Sequence, residues 1–214
     1  MTERRGVTRR GFLKSVGAAA ATGGAALPGL ALAVRANEAL AEDGPEVLGP
    51  GPVPVTLHVN GKKHALKIEP RVTLLDALRN EIGLTGPKEV CDGGACGACT
   101  VLLDGVPVNS CSMLAIDAAS DAGATHAVTT AEGLCAADGA PNDLQRAFTE
   151  KDALQCGYCT CGMVVASEAL LRSNASPSAD DVRAGISGNI CRCGTYPRIV
   201  EAVLSTASLR RKAK

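Results

Sequence analysis

Four of the ten cysteines form a motif whose spacing suits an iron–sulfur centre. The motif has the pattern C-x4-C-x2-C, followed by a fourth cysteine after eleven intervening residues; its members are Cys91, Cys96, Cys99 and Cys111. This is the spacing of a plant-type [2Fe–2S] site, in which four thiolates hold two irons. Between them stand Gly93, Gly94 and Gly97. Because glycine has no Cβ atom, such a loop can wrap tightly and direct backbone N–H groups at the sulfurs.

Four further cysteines form two pairs in the second half of the chain, Cys156 with Cys159 and Cys191 with Cys193. The pairs are separated by 31 residues, and each precedes a segment with helical apolar periodicity. Helix N-termini carry partial positive charge, which favours an anionic cluster beside them. We predict a second four-thiolate iron–sulfur site here, and two such motifs in order are a stronger signal than one.

Two other uses of these cysteines remain open at this point. In a chain exported to an oxidising compartment, the cysteines could form a disulfide framework, although Cys191 and Cys193 are too close in sequence to bridge each other easily. Zinc also accepts four thiolates, but zinc ribbons and fingers favour two C-x2-4-C knuckles over three cysteines in one loop. Cys161 could replace Cys159 as a ligand, and Cys135 is unassigned. We expect both extra cysteines to be buried thiols that pack like small apolar residues, with a disulfide between them as the alternative.

The first motif lies within a predicted α+β unit. Apolar patterning predicts strands over 53–59 and 64–68, and Asn60-Gly61 between them favours a type I′ hairpin turn. Thr73 and Asp76 have capping-box spacing, which predicts the start of a helix that ends at Gly83. Further strands are predicted over 100–103, 106–109 and 125–130.

The second motif lies in a segment whose periodicity predicts only helices, over 144–151, 162–172, 178–186 and 197–208. Gly133, Gly139 and Pro141 interrupt the pattern between the halves. We therefore predict an α+β domain over 53–134, an all-α domain over 142–208 and a solvated basic tail over 209–214. A linker containing glycine and proline precedes them over 37–52.

Residues 1–36 have the features of an export signal. Thr8-Arg9-Arg10-Gly11-Phe12-Leu13-Lys14 is followed by an uncharged stretch over 15–33 and by small residues suited to cleavage between Ala33 and Ala36. This segment resembles a twin-arginine signal peptide, which implies export of a folded protein to the periplasm. A short membrane anchor is the alternative, but four glycines and one proline weaken the apolar stretch as a spanning helix.

The composition excludes several classes of function. The formal net charge is zero, the basic excess lies in residues 1–33, and aromatic residues make up only 2%. We therefore expect neither a basic nucleic-acid surface nor a stacking platform for single strands. The sequence contains no nucleophilic triad, P-loop or dinucleotide fingerprint, so we expect no catalytic residue on this chain.

Three motifs resemble the signatures of the iron–sulfur subunit of molybdenum hydroxylases, the xanthine dehydrogenase and aldehyde oxidoreductase family. They are CDGGACGACTV over 91–101, QCGYCT over 155–160 and GNICRCGTY over 188–196. With the export signal, the chain looks most like the small subunit of periplasmic aldehyde oxidoreductases. The family usually has proline after Cys-x-x-Cys-Thr, where this chain has Cys161.

The resemblance implies a β-grasp ferredoxin domain and a four-helix domain, each with one [2Fe–2S] cluster. In the family, the helical-domain cluster faces a molybdopterin cofactor in a separate large subunit, which places Gln155 and Cys193 next to the pterin. Electrons would pass from molybdenum through both clusters to an FAD subunit or a cytochrome, during hydroxylation of an aldehyde or N-heterocycle. The alternative is a free-standing exported two-cluster ferredoxin, which would not require Gln155 or the helical domain.

Overall fold

The computed structural model describes residues 48–119 and 126–213. The predicted signal peptide over 1–36, residues 37–47 of the predicted linker and the first residue of the last predicted strand lie outside these ranges. Among the described residues, no helix has the length and apolar character needed to cross a membrane.

One mixed sheet occupies the first half of the described chain. Its strands are β1 (Val53–Val59), β2 (Lys62–Ile68), β3 (Thr100–Leu103), β4 (Val106–Asn109) and β5 (Ala127–Thr129). The sheet order is β2-β1-β5-β3-β4; β1 and β5 run parallel, and the other neighbours run antiparallel. Asn60 and Gly61 join β1 to β2 with φ angles of 51° and 75°, as the predicted type I′ turn requires.

The helix predicted after Thr73 is shorter and less regular than expected. It consists of α1 (Leu74–Asp76), continued by a π-helical turn over Ala77–Glu81. The Thr73 hydroxyl accepts a hydrogen bond from the Asp76 N–H and caps the first turn. The Ile82 N–H then bonds the carbonyl five residues back, which widens the last turn.

Four helices fill the second half of the described chain: α2 (Asp143–Glu150), α3 (Thr160–Ser173), α4 (Ala179–Gly185) and α5 (Tyr196–Lys212). They correspond to the four predicted helices, with shifted ends. The predicted capping box of Ser178 and Asp181 starts α4. A second capping box, between Asn142 and Gln145, starts α2 and was not predicted. The predicted α+β fold with an all-α second part is confirmed.

The two halves share a buried boundary. Leu102 of β3 belongs to the same core as Phe148 of α2 and Ile199 of α5, and all three side chains are fully buried. Helix α3 packs directly on β3. This joint core was not predicted from the sequence, and the domain limits at 134 and 142 stay a prediction.

Arg210 is half-buried and paired, unlike the solvated tail predicted over 209–214. Helix α5 continues to Lys212, and the Arg210 guanidinium forms two bonds of 2.7 Å with Asp143 and one of 2.8 Å with Glu168. The Glu168 carboxylate is buried and pairs with both Arg172 and Arg210, which explains why the Arg210 side chain is half-buried against it. The Arg210 side chain also holds the pKa of Asp143 below its usual value.

Candidate iron–sulfur sites

The loop that carries the first cysteine motif is closed at its base. The Lys88 N–H donates to the Ala98 carbonyl at 3.0 Å, so the chain enters and leaves the loop side by side. Arg79 donates to the carbonyls of Thr85 and Pro87, at 3.2 and 2.9 Å, and fixes the approach to the loop. A loop closed in this way can direct several side chains toward one centre.

Left-handed backbone conformations curl this loop around its cysteines. Asp92, Gly94 and Gly97 have φ angles of 46°, 70° and 69°, a region that glycine enters without steric cost. The Gly94 N–H donates to the Cys111 sulfur at a nitrogen–sulfur distance of 3.3 Å. Cys111 lies in a 3₁₀ turn over Ser110–Ser112, directly after β4, so the fourth thiol reaches the site from outside the loop.

The four thiols of the first site contact one another in two pairs. Cys91 contacts Cys96 near the surface, and Cys99 contacts Cys111 in the interior. Backbone N–H groups, led by that of Gly93, lower the pKa of Cys91 to about 6, whereas burial raises the pKa of Cys99 to about 11. The outer pair is therefore more exposed and surrounded by N–H donors, whereas the inner pair is buried and has fewer of them.

The second site repeats this arrangement with residues from two helix starts. Cys156 and Cys159 directly precede α3, and Cys191 and Cys193 precede α5, as predicted for the helices. The sulfurs of Cys193 and Cys156 lie 3.5 Å apart, and Cys159 contacts Cys191. Here too, one pair includes an exposed thiol and the other includes a buried one.

Burial and hydrogen bonding act on the thiols of the second site in opposite directions. The Tyr158 N–H lowers the pKa of Cys156, and burial raises the pKa of Cys159 to about 12. Burial also raises the pKa of Cys191, but the Thr195 hydroxyl, 3.2 Å from the sulfur, and nearby N–H groups outweigh it and bring that pKa to about 7. Donors at the start of α5 thus favour the thiolate, the form that binds metal.

The donor set suits two irons at each site. Two thiolates bound to one metal at roughly 2.3 Å with tetrahedral geometry lie about 3.8 Å apart, close to the 3.5 Å between Cys156 and Cys193. Two thiol pairs per site therefore fit a four-thiolate [2Fe–2S] cluster better than a single zinc ion.

The two sites are in direct contact through their backbones. The Ile190 N–H donates to the Cys96 carbonyl at 2.9 Å, which links the residue before Cys191 to the first site. Asn189 adds a side-chain hydrogen bond of 2.8 Å to the Gly97 carbonyl. From the sequence we expected one site in each domain and had no indication of this contact.

Comparison with known proteins identifies both halves. One family model, a 2Fe-2S iron-sulfur cluster binding domain, matches residues 57–130, and a second, a [2Fe-2S] binding domain, matches residues 130–204. The chain is 41% identical over 219 residues to the aldehyde oxidoreductase iron-sulfur-binding subunit PaoA of Escherichia coli O157:H7, which covers 94% of this chain and 88% of that subunit. It is 45% identical over 152 residues to the nicotine 6-hydroxylase small subunit of Paenarthrobacter nicotinovorans, which covers 71% of this chain and 88% of that one.

Comparison of the fold with solved structures identifies the same group of proteins. The crystal structure of quinoline 2-oxidoreductase from Pseudomonas putida 86 aligns with a TM-score of 0.69 and 41% identity, covering 75% of this chain and 97% of that chain. The chain belongs to the iron–sulfur subunits of the molybdenum hydroxylases. The resemblance read from the three motifs is thereby confirmed. This chain is thus the iron–sulfur subunit of a molybdenum-containing oxidoreductase.

The exposed edge of the second site in this iron–sulfur subunit includes Gln155. Gln155 is exposed and directly precedes Cys156, whose sulfur contacts Cys193. The two residues predicted to approach a pterin, Gln155 and Cys193, therefore lie at the same edge of the site.

The two cysteines left unassigned lie apart from these thiol pairs. Cys161 lies in the first turn of α3, where burial raises its pKa, and Cys159 rather than Cys161 contacts Cys191. The Cys135 thiol donates to the side-chain carbonyl of Gln145 at 3.5 Å. All ten cysteines lie within the described ranges, and each is a free thiol there.

The roles of three polar residues of the iron–sulfur subunit were missed in the sequence; they are Asn189, Thr195 and Tyr196. The Tyr196 hydroxyl accepts a hydrogen bond from the Cys191 N–H at 2.8 Å, and Thr195 reaches the Cys191 sulfur. For Thr195 and Tyr196, the position directly before a predicted helix was the available signal, because polar side chains there can pair with the free backbone groups of the first turn. For Asn189, whose partners are distant in sequence, no local signal existed.

Proposed function

We propose that this subunit carries two [2Fe–2S] clusters and transfers electrons singly from a molybdopterin site in a partner large subunit to an FAD subunit or a cytochrome. The observation that carries the proposal is the pairing of thiols at both sites, together with the contact between the sites. A bound [2Fe–2S] cluster supplies a reversible one-electron carrier.

In this proposal, the positions of the exposed and buried thiols define the route that electrons take through the subunit. Gln155 and the Cys156–Cys193 pair lie at the surface and form the entry from the pterin. Buried Cys191 follows, and the hydrogen bond between its neighbour Ile190 and Cys96 provides a route of few bonds into the first site. Exposed Cys91 marks the exit. One electron moves at each step, and no bond to the chain forms or breaks.

We further propose that the complete enzyme hydroxylates an aldehyde or an N-heterocycle, with oxygen from water and two electrons released per turnover. The supporting relatives are an aldehyde oxidoreductase, a nicotine 6-hydroxylase and a quinoline 2-oxidoreductase. In this scheme the substrate pocket belongs to the partner subunit, so this chain receives the two electrons in two single steps.

The proposal places the subunit in the periplasm after export by the twin-arginine pathway. Its support is the sequence from Thr8 to Lys14 with the uncharged stretch that follows. Export of a folded chain suits a protein whose clusters are inserted in the cytoplasm. We expect a variant with Arg9→Lys and Arg10→Lys to accumulate in the cytoplasm with its clusters. Periplasmic accumulation of that variant at the wild-type level would contradict export by this route.

Purification of the full-length protein from its native host tests the electron-transfer function. We expect about four irons and four acid-labile sulfides per chain, and co-purification of a larger molybdenum-containing chain. Anaerobic addition of an aldehyde or N-heterocyclic substrate should bleach the visible absorbance of the clusters. A coloured protein that purifies alone would instead identify a free-standing carrier, and a colourless protein without iron would contradict both functions.

A further inference from the structure

Asn189 occupies the buried junction between the two sites. It is 6% exposed and lies two residues before Cys191. Its side-chain amide donates to the Gly97 carbonyl at 2.8 Å and to the Thr100 hydroxyl at 3.1 Å. Gly97 stands between Cys96 and Cys99, so both donated bonds of this amide reach the segment that carries the first site.

Asn189 is itself held from the helical side. Its N–H donates to the Ile186 carbonyl at the end of α4, at 2.9 Å, and its carbonyl accepts from the Tyr196 hydroxyl at 3.4 Å. The same Tyr196 hydroxyl accepts from the Cys191 N–H at 2.8 Å. Asn189 therefore belongs to a hydrogen-bonded segment that also holds a predicted ligand of the second site.

The junction leaves no space for another atom. A Cβ atom on Gly97 would lie 2.4 Å from the Gly188 carbonyl oxygen and 2.6 Å from the Asn189 amide nitrogen. A Cβ atom on Gly162 of α3 would lie 2.1 Å from the Gly97 carbonyl oxygen. Three backbone segments therefore meet around one amide, an approach that only glycine permits.

The Gly97 carbonyl accepts hydrogen bonds from its own loop as well as from Asn189 in the second-site segment. The Gly97 carbonyl also accepts from the Thr100 N–H at 3.1 Å and from the Thr100 hydroxyl at 2.6 Å. If Asn189 no longer donates, this carbonyl still has partners within its own loop. Loss of the amide should therefore let the second-site segment reorient against the first loop without unfolding either site, while the bond from the Ile190 N–H to the Cys96 carbonyl keeps the two segments adjacent.

We infer that Asn189 is a positioning residue that fixes the distance and orientation between the two cluster sites. The inference rests on the proposed function, because it requires a cluster at each site. Packing alone would keep the segments close, whereas two directed hydrogen bonds from one buried amide also fix how they are oriented.

The magnetic coupling between the two reduced clusters in the full-length protein provides the test. Reduced [2Fe–2S] clusters are paramagnetic, and the dipolar coupling of two spins depends on their relative orientation and on the inverse cube of their distance. Asn189→Leu removes both donors while roughly keeping the side-chain size. Thr206→Val is the matched control, because Thr206 is fully buried and its hydroxyl donates to the Ala202 carbonyl within α5.

We expect wild-type protein and Thr206→Val to show the same splitting of the low-temperature EPR signals. Asn189→Leu should narrow or lose this splitting while its iron and sulfide contents stay at the wild-type value. Unchanged splitting in Asn189→Leu, or no splitting in wild-type protein with both clusters, overturns the inference and leaves the proposed function intact. Wild-type protein with fewer than two clusters overturns the proposed function and the inference with it.

Thr100→Val provides a second variant in case Asn189→Leu does not retain both clusters. It keeps the side-chain shape, removes one acceptor of the Asn189 amide and removes the hydroxyl that donates to the Gly97 carbonyl, which keeps its bond from the Thr100 N–H. With both clusters present, a narrowed splitting in Thr100→Val supports the positioning role, and an unchanged splitting overturns it.

Discussion

Gly162 provides a direct test of how closely the two sites are packed. It lies in the first turn of α3, three residues after Cys159, and a Cβ atom there would lie 2.1 Å from the Gly97 carbonyl oxygen. Real Cβ atoms essentially never come within 3.0 Å of another heavy atom. Gly162→Ala must therefore separate α3 from the first cysteine loop by about 1 Å.

Two effects on the free energy of unfolding oppose each other in this variant. Overpacking a tight contact costs about 1–3 kcal/mol, and the upper end applies here because a backbone carbonyl cannot rotate away. Alanine within a helix gains at most about 1 kcal/mol over glycine. We therefore expect a net destabilisation of about 2 kcal/mol, which for a chain of this length lowers the thermal midpoint by about 4–8 °C.

The assay follows the visible absorbance of the clusters while the full-length protein is heated at one fixed scan rate. Gly188→Ala is the matched control, because a Cβ atom there meets no atom within 4 Å and the φ angle is not left-handed. This control should melt at the wild-type temperature or slightly above it, since alanine restricts the unfolded chain. If Gly162→Ala is as stable as Gly188→Ala, the tight packing of the two sites is refuted.

Four further variants test the sites and the helical half. Cys91→Ser should remove one reduced-cluster EPR signal and Cys193→Ser the other, and loss of both signals from either change would contradict separate binding of the clusters. Cys161→Ala should keep the wild-type iron content, because Cys159 rather than Cys161 contacts Cys191; a halved content would make Cys161 a ligand. Arg210→Met should lower the free energy of unfolding in urea at neutral pH by about 2 kcal/mol, between the values for exposed and buried ion pairs. Because Arg210 depresses the pKa of Asp143 below 3.8, this contribution is present above about pH 4 and declines as the pH falls through the folded pKa. A difference between wild type and Arg210→Met that is independent of pH would contradict this ion pair.

The elements that could be predicted from the sequence have causes within a few residues. Asn60-Gly61 determines its own turn, and Ser178 with Asp181 caps its own helix. The Asn142 capping box has an equally local cause and was missed, although Gln145 stands at the required spacing. By contrast, the extension of α5 beyond residue 208 accompanies the pairing of Arg210 with Asp143, 67 residues away, which no local pattern indicates.

The candidate sites likewise have some features with a local cause in the sequence and others that depend on distant residues. Cysteine spacing indicates which thiols can meet, because each motif is confined to a loop or a helix start. The contact between the sites depends on Asn189 and Gly97, which are 92 residues apart. Gly162 was the one local indication of this contact, because a glycine within a helix costs stability and usually has a packing reason.

An electron carrier between two partners has opposite requirements at its ends and at its centre, and the proposed path meets both. Cys156 and Cys91, at the ends, are exposed and can approach partners, whereas Cys191 and Asn189, at the centre, are buried. The central carbonyls of Cys96 and Gly97 accept hydrogen bonds across the junction. Moving the sites apart would break both hydrogen bonds, each with a net contribution of about 0.5–1.5 kcal/mol, and would therefore also weaken the fold. The spacing of the two sites is therefore maintained by the same interactions that stabilise the joined halves of the chain.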